Sequence, residues 1–384
     1  MPTVSLPPWH FADGVLTVDV LFRLVHSTLL NPSWTILLLL RALARSTGVL
    51  SARSVPAAVE LLGQTDWVAV GSERGLLAAA GLFAVGVGVR ANEMLNRAAR
   101  NNFTRTKRAW NWKNGGEVVL ITGGAGGLGS EVARWLASRG IKVVILDVAP
   151  LSFDAPPTLK HYTVDISSRQ AVFEVAKRVV AEVGHPTVLL NLAGVVRTQA
   201  VLDMSEKDVD MTYDINVKAH YYTAQAFVPH MVKAGHGHVV TVASAMSYVT
   251  ATMGVAYCSS KAAALSFHEG LTEELRHLYQ PTSHARAVRT SIVCPAHFKS
   301  DMFAGFENAI PECLAPSLEV GTVAELVVRT VLSGESQHIV EPFYCKLTPF
   351  ARALPTWLYG SILFLAKDAM GAVKKYKDKQ GKAA

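Results

Sequence analysis

The sequence has little cysteine and no spacing that would put cysteine to work. Cys258, Cys294, Cys313 and Cys345 stand far apart, and there is no Cys-x-x-Cys pair. Metal binding needs clustered ligands, so no metal site is expected. Free buried thiols in a reducing compartment are the expectation instead. Internal repeats and low-complexity stretches are absent too. The extreme N-terminus lacks a basic start, and Asp13 and Asp19 break its early apolar run. A cleaved signal peptide is therefore not expected. Nor does any uncharged run reach the ~20 apolar residues that cross a bilayer comfortably. The net charge of +7 is modest for 384 residues and does not call for nucleic acid.

Half of the residues are hydrophobic, enough for more than one real core. Residues 1–115 form a region of their own kind. Leu24–Leu40 carries no formal charge and is interrupted by Asn31-Pro32. Gly75–Val89 is a second uncharged stretch, framed by Arg74 and Arg90. Each could be a short span, a re-entrant hairpin or an interfacial helix, or else a buried helix packed on the core. Basic residues gather beside these segments: Arg90, Arg97, Arg100, Arg105, Lys107, Arg108 and Lys113 face a single acid, Glu93. The tail, 346–384, repeats the arrangement. Pro349, Phe350, Pro355, Trp357, Leu358, Tyr359 and Ile362–Leu365 precede Lys374, Lys375, Lys377, Lys379 and Lys382. Apolar segments with basic flanks point to a membrane surface, with the catalytic region on the cytosolic side. A solvated linker and a frayed tail are the plainer alternative.

Residues 116–345 alternate β-branched runs with helical stretches. That is the pattern of an α/β fold, a doubly wound parallel sheet of Rossmann type. Strands are predicted at Glu117–Thr122, Lys142–Asp147, Tyr162–Val164, Thr187–Leu190, His238–Ala243, Arg289–Cys294 and His338–Val340. Helices are predicted at Gly129–Arg139, Arg169–Val183, Lys207–Val232 and Met253–Leu278. Between the first strand and the first of these helices runs Thr122-Gly123-Gly124-Ala125-Gly126-Gly127-Leu128-Gly129. Glycines there let backbone N–H groups at a helix start approach a pyrophosphate. Asp147 ends the second strand, about 20 residues on, where a carboxylate can accept from an adenosine ribose. It would repel the extra phosphate of NADP, and no Arg or Lys stands in the turn or just after Asp147 to offset it. NAD is thus expected in preference to NADP. The alternative for Asp147 is a capping or loop role.

Tyr257 and Lys261 are the one Tyr-x-x-x-Lys in the chain. Four residues apart on a helix, they share a face. An ammonium beside a phenol favours phenolate, which would let tyrosine exchange a proton near neutral pH. Ser244 follows a strand at its carboxyl end, where its hydroxyl could hold a reacting oxygen. Ser247 competes for that task. Asn216, taken alone, reads as a surface or capping residue.

Taken in order, these residues resemble the short-chain dehydrogenase/reductase family. Thr-Gly-x-x-x-Gly-x-Gly, Asn-x-Ala-Gly, Asn, Ser and Tyr-x-x-x-Lys succeed one another over roughly 116–345, about 60% of the chain. The resemblance implies cofactor contacts at Thr122, Gly123, Gly127, Leu128, Gly129, Asp147, Asp165, Asn191, Ala193, Gly194, Pro295 and Ser300. It implies a catalytic set of Asn216, Ser244, Tyr257 and Lys261, with Tyr257 as acid/base and Ser244 holding the substrate oxygen. Lys261 would bind ribose and tune the tyrosine, and Asn216 would support a proton-relaying water. Ser244 precedes Tyr257 by thirteen residues, the family spacing, which favours it over Ser247. Two departures stand out. Leu192 replaces the second Asn of Asn-Asn-Ala-Gly, which puts a strand-linking hydrogen bond in doubt. Pro295-Ala296 replaces Pro-Gly, which narrows backbone freedom.

Within the family, the apolar N-terminus, Trp110-Asn111-Trp112 and the apolar tail resemble the membrane-associated retinol and 17-beta-hydroxysteroid dehydrogenases. That implies a lipophilic alcohol or carbonyl substrate (retinoid, steroid or other lipid) and a place at the endoplasmic reticulum or lipid droplets. A homodimer through the helices of Asn216 and Tyr257 is implied as well. Asp301–Leu318, with Met302, Phe303, Phe306, Ile310, Pro311 and Leu314, would fold over the substrate, unless it is simply a helix packed on the core. His297 is a candidate substrate contact, although a lone histidine is more often structural. Two rival functions remain: a dehydratase or epimerase of the extended type, disfavoured by Gly127-Leu128-Gly129 and the short C-terminal region, and a membrane-anchored NAD-binding scaffold without turnover.

Overall fold

Val118-Val119-Leu120-Ile121-Thr122 is a run of branched and aliphatic side chains, suited to a strand covered on both faces. It forms β1 (Val118–Thr122), buried throughout. The computed structural model describes residues 17–52, 54–66, 74–104, 109–112, 115–279, 284–306, 311–365 and 367–381. Arg105, Lys107, Arg108, Lys113, Ile310 and Lys382, singled out above, lie outside them, as does Asp13.

Around β1 stand β2 (Lys142–Asp147), β3 (Leu159–Thr163), β4 (Val188–Asn191), β5 (His238–Val242), β6 (Arg289–Pro295) and β9 (His338–Glu341). The order is β3-β2-β1-β4-β5-β6-β9, and every pairing is parallel. This is the expected doubly wound sheet. Winding reverses between β1 and β4, so a crevice opens beyond their carboxyl ends. A two-residue pair, β7 (Phe298–Lys299) with β8 (Leu318–Glu319), stands apart.

Two cores sandwich the sheet. On one face Leu120, Val144, Leu189 and Val239 meet Val175 and Val179 of the helix Arg169–Glu182, Phe227 and Met231 of Ala219–Ala234, and Phe267 and Leu275 of Val255–His277. On the other, Val119, Ile121, Val143 and Leu190 meet Val132 and Leu136 of Gly127–Ala137 and Val327 and Val331 of Val320–Ser333. Removing a side chain such as Leu136, which is wholly buried, would cost about 2–5 kcal/mol.

At the amino ends of the strands a second, polar fastening appears. Glu117 and His236 are buried together with Nε2–Oε2 at 3.0 Å, and Trp110 packs on His236 at 4.2 Å. Burial pushes the Glu117 carboxyl up, but hydrogen bonds from His236, the Asn111 N–H and Thr187 outweigh it and hold it below its ordinary value. Arg289 donates to the carbonyls of Asn101 and Thr104, each at 2.8 Å, and Asn101 accepts from the Ser336 N–H at 3.0 Å.

The chain divides into two compact units, Val18–Ala99 and the remainder. The smaller is helical: Val18–Ser27, Pro32–Ser46, Val55–Gln64 and Arg74–Arg100. Asn31 caps the second of these, with Pro32 in its first turn. Within the unit a Cβ on Gly86 would come within 3.0 Å of the Leu30 carbonyl oxygen, and His26 pairs with Glu93 at 3.0 Å. The last helix has 27 residues, well beyond the Gly75–Val89 read from the sequence. It is long and apolar enough to cross a membrane, and only 11% of its most apolar window is buried. Trp34, Leu37, Leu40, Leu77 and Val85 are each more than half exposed.

Candidate active site

The glycine turn leaves β1 and opens the helix Gly127–Ala137, which has no side-chain cap and no acid in its first turn. Gly123 has φ +71°, and a Cβ there would come within 2.7 Å of the Ala193 backbone. A Cβ on Gly129 would run into the Gly123 carbonyl. Beside Gly126 and Gly127, by contrast, space is open. A Cβ on Gly124 would likewise come within 2.8 Å of the Ile145 side chain, so packing dictates glycine at 123, 124 and 129, and the turn leaves open room at Gly126 and Gly127, where the helix begins. That is the cradle a pyrophosphate needs.

Asp147 lines the cleft beyond the turn and also fastens it. Its carboxylate accepts from the Ala125 N–H at 2.9 Å and the Ala149 N–H at 3.0 Å. The loop role and the ribose role considered for it are compatible, because a carboxylate has about four acceptor positions. Asp165 lies alongside and accepts from the Ser167 N–H at 2.9 Å.

At the far end of the cleft the helix Val255–His277 carries Tyr257 and Lys261 on one buried face. Lys261 Nζ is 5.8 Å from the Tyr257 ring centre and donates to the Val242 carbonyl at 3.0 Å. Ser244 leaves β5 in extended conformation and caps a short 3-10 turn, Ala245–Ser247, by accepting from the Met246 N–H at 3.1 Å. Its hydroxyl lies 3.5 Å from the Pro295 carbonyl and is close enough to the Tyr257 phenol to favour its unprotonated form. Ser247 instead donates to the Lys261 carbonyl at 2.9 Å.

Burial governs charge at this corner. Burial pushes the Tyr257 phenol above its usual range, and the Ser244 hydrogen bond only partly offsets it. Burial also lowers the Lys261 ammonium to about 8. For the phenol, loss of hydration dominates, and the lowering influence comes from Ser244.

Asn216 stands in a widened π turn, Asp214–Lys218, between the helices Glu206–Tyr213 and Ala219–Ala234. It is not at the surface: it is fully buried. Its Oδ1 accepts from the Val195 N–H at 2.8 Å, and its Nδ2 donates to the Val195 carbonyl and Ser260, both at 3.0 Å. Asn216 Oδ1 and Lys261 Nζ flank Gly194, within 3.4 and 3.5 Å of where its Cβ would stand.

Thr122 and Asn191 lie behind the cleft. The Thr122 hydroxyl receives the N–H groups of Leu192 (3.2 Å) and Ala193 (3.3 Å). Asn191 accepts from Thr223 at 3.0 Å. The departure at Leu192 therefore leaves β1 and β4 linked, through threonine and main chain.

The segment after β6 closes the cleft. Phe303 stands edge-on to Tyr257 at 5.8 Å, and Met370 of the helix Ala369–Gly381 packs in the same cluster with Val196 and Cys258. Leu314, read as part of the cover, is half exposed. Ser300 lines the cleft, and its hydroxyl is buried without a hydrogen-bond partner.

The cleft encloses about 430 Å³. It gathers Gly123, Gly127, Leu128, Gly129, Asp147, Asp165, Ala193, Gly194, Tyr257, Lys261 and Ser300. Thr122, Asn191, Asn216, Ser244 and Pro295 are not in its lining. Val148, Ile166, Val195 and Ile215 supply apolar walls that the sequence reading missed. Each is a single aliphatic residue beside a motif, with no signal to distinguish it from core. An open glycine cradle, carboxylates with acceptor positions to spare and an unpartnered buried hydroxyl fit a nicotinamide dinucleotide. Among the described residues no metal-holding group of side chains occurs.

A family model described as short chain dehydrogenase matches residues 117–310. The mouse protein estradiol 17-beta-dehydrogenase 11 is 34% identical over 276 residues, 69% of this chain and 88% of the mouse protein. Human epidermal retinol dehydrogenase 2 is also 34% identical, over 67% of this chain and 82% of its own. A short chain dehydrogenase from Burkholderia cenocepacia, solved in complex with NADP, superimposes with a TM-score of 0.53 at 24% identity, covering 65% of this chain and 97% of that one. One from Leptospira borgpetersenii with bound NAD+ gives 0.51 at 18%, covering 62% and 96%. The two structures speak for the fold alone.

Proposed function

The chain belongs to the short-chain dehydrogenase family, and from that premise we propose that it interconverts a lipophilic alcohol and its carbonyl form at a membrane, using NAD. The observation that carries this reading is the meeting of Tyr257, its Ser244 partner and Lys261 in one cleft with the glycine cradle.

Asn216, Ser244, Tyr257 and Lys261 are the working set in this reading. Bound in the cleft, a nicotinamide would accept or give the hydride at the substrate carbon. The protein manages the proton. Burial keeps Tyr257 protonated, which suits giving a proton to a carbonyl oxygen. In the reverse direction the alcohol proton must go to the Tyr257 oxygen, so the phenol must first be unprotonated. The charged form of Lys261 and the Ser244 hydroxyl favour that state. Ser244 also fixes the substrate oxygen, and Asn216 holds the Gly194–Val195 backbone against Lys261. Ser300 would receive the carboxamide.

Among the described residues, Asp147, Asp165 and Asp301 line the cleft, against Lys261 alone on the basic side. A 2′-phosphate near Asp147 would meet repulsion, which favours NAD over NADP. The exposed apolar helices of residues 18–99 and the steroid and retinoid names of relatives support a lipid substrate. We assign 1–115 as a membrane-associated region, 116–345 as the NAD-binding domain and 346–384 as a tail. The placement is endoplasmic reticulum or lipid droplet, with the cleft facing the cytosol.

The test is turnover in detergent. Purified protein, NAD and a panel of long-chain, retinoid and steroid alcohols should yield NADH absorbance at 340 nm (a general property of NADH). NAD binding without any reduction across the panel would leave the scaffold reading in its place.

A further inference from the structure

Against Phe303, the ring that also meets Tyr257, lies a histidine whose hydrogen bonds are arranged in one direction. Glu312 takes both the N–H of Ser317, at 2.7 Å, and its hydroxyl proton, at 2.9 Å. With that proton committed, Ser317 Oγ can only accept from His297 Nδ1, 3.0 Å away. The ring is thereby held in the tautomer protonated at Nδ1, and Nε2 carries a lone pair. Nε2 is buried and has no hydrogen-bond partner among the described residues. Two aromatic rings pack on the imidazole: Phe306 stacks at 3.9 Å and Phe303 stands edge-on at 5.7 Å.

A buried acceptor without a donor is costly, and an aliphatic residue would fill this space without that cost. Phe303 touches both His297 and Tyr257. A ligand that displaces this one ring would reach from the phenol to the imidazole. We propose that His297 Nε2 accepts a second hydroxyl of the substrate, so that the protein favours lipophilic alcohols bearing a distal O–H over simple mono-alcohols. This rests on the alcohol-binding reading of the cleft. Burial holds the His297 ring at about 4, so it stays neutral and accepting at physiological pH.

The experiment uses the full chain loaded with NADH and a series of 1,n-alkanediols, each matched with its 1-alkanol. Binding is read from NADH fluorescence and turnover from steady-state kinetics with NAD. At one chain length the diol should bind about five- to tenfold more tightly than its mono-alcohol, the worth of one neutral hydrogen bond. An asparagine amide reproduces the Nδ1 donor but not the Nε2 acceptor, and glutamine does the converse. His297→Asn should therefore abolish the diol preference and leave mono-alcohol binding within about twofold, while His297→Gln keeps part of it. His297→Asn retaining the preference would show that the ring serves only to hold Ser317, and would overturn the proposal. So would the absence of diol preference at every length. Failure of all alcohols to turn over, with diol preference intact in binding, would count against the dehydrogenase reading and leave this subsite standing.

Discussion

Tyr257 and Lys261 are both wrapped in apolar surroundings, and each is driven toward its neutral form. The polar neighbours found for them are Ser244 for the phenol and the Val242 carbonyl for the ammonium. Tyr257→Phe should lower turnover by at least about a hundredfold, the low end of what a positioned acid/base supplies, while NAD affinity stays within a few fold. Steady-state rates beside a binding titration would decide it, and a variant that keeps its activity would remove the tyrosine from the mechanism. At the other end of the cleft, Asp147→Ala should narrow the ratio of NAD to NADP efficiency. It should also loosen the turn, because the Ala125 and Ala149 N–H groups lose their acceptor. An unchanged ratio would mean that cofactor choice lies elsewhere.

Among the elements, the glycine turn permits a matched comparison. Gly129→Ala forces a methyl into the Gly123 carbonyl and should cost about 1–3 kcal/mol as well as cofactor affinity. Gly270→Ala, inside the helix Val255–His277 with nothing within 4 Å, should instead stabilise by about 0.5–1 kcal/mol. Urea melts of the two variants should move in opposite directions. The strands and this turn were readable in the sequence because β-branched runs and glycine spacing are local signals. β2 is found as read, and β1, β4, β5, β6 and β9 differ by a residue or so at their ends. The π turn was not readable. Lys207–Val232 reads as one continuous helix, and nothing in Asp214-Ile215-Asn216-Val217-Lys218 opposes ordinary helix. It is the contact of Asn216 with Val195 and Ser260, distant in sequence, that accompanies the wider turn. Likewise Arg90, Asn92 and Glu93 end the apolar pattern after Val89, yet the helix continues to Arg100.

For the molecule as a whole, acid should be the sensitive direction. His220, His238 and His268 are buried, and burial lowers each to about 3. Once unfolded they would titrate near 6.5. As pH falls below 6.5 the unfolded chain binds protons that the folded one refuses. Stability is therefore full above 6.5 and declines toward pH 3, at up to about 4 kcal/mol per pH unit for three groups. Urea unfolding at pH 7, 6 and 5 reads this directly, and a flat profile would contradict it. The division of the chain makes a second whole-molecule expectation. Removing residues 1–99 should reduce membrane association yet leave a folded, NAD-binding protein. Removing 1–115 also discards the partners of Arg289, Ser336, Glu117 and His236, and should lower the melting temperature markedly. Flotation and thermal melts of the two truncations would separate these effects, and equal melting temperatures would refute the second.

The π turn amounts to one residue more than an α-helix would hold over the same path. Deleting any one residue from 214–218 would let the two flanking helices fuse with their phase unchanged. Thr223 would keep its bond to Asn191. The change would fall on the bulge itself, and Asn216 would lose the backbone course that sets it against Val195 and Ser260. A shortened chain of this kind would be the more regular helix and the poorer enzyme.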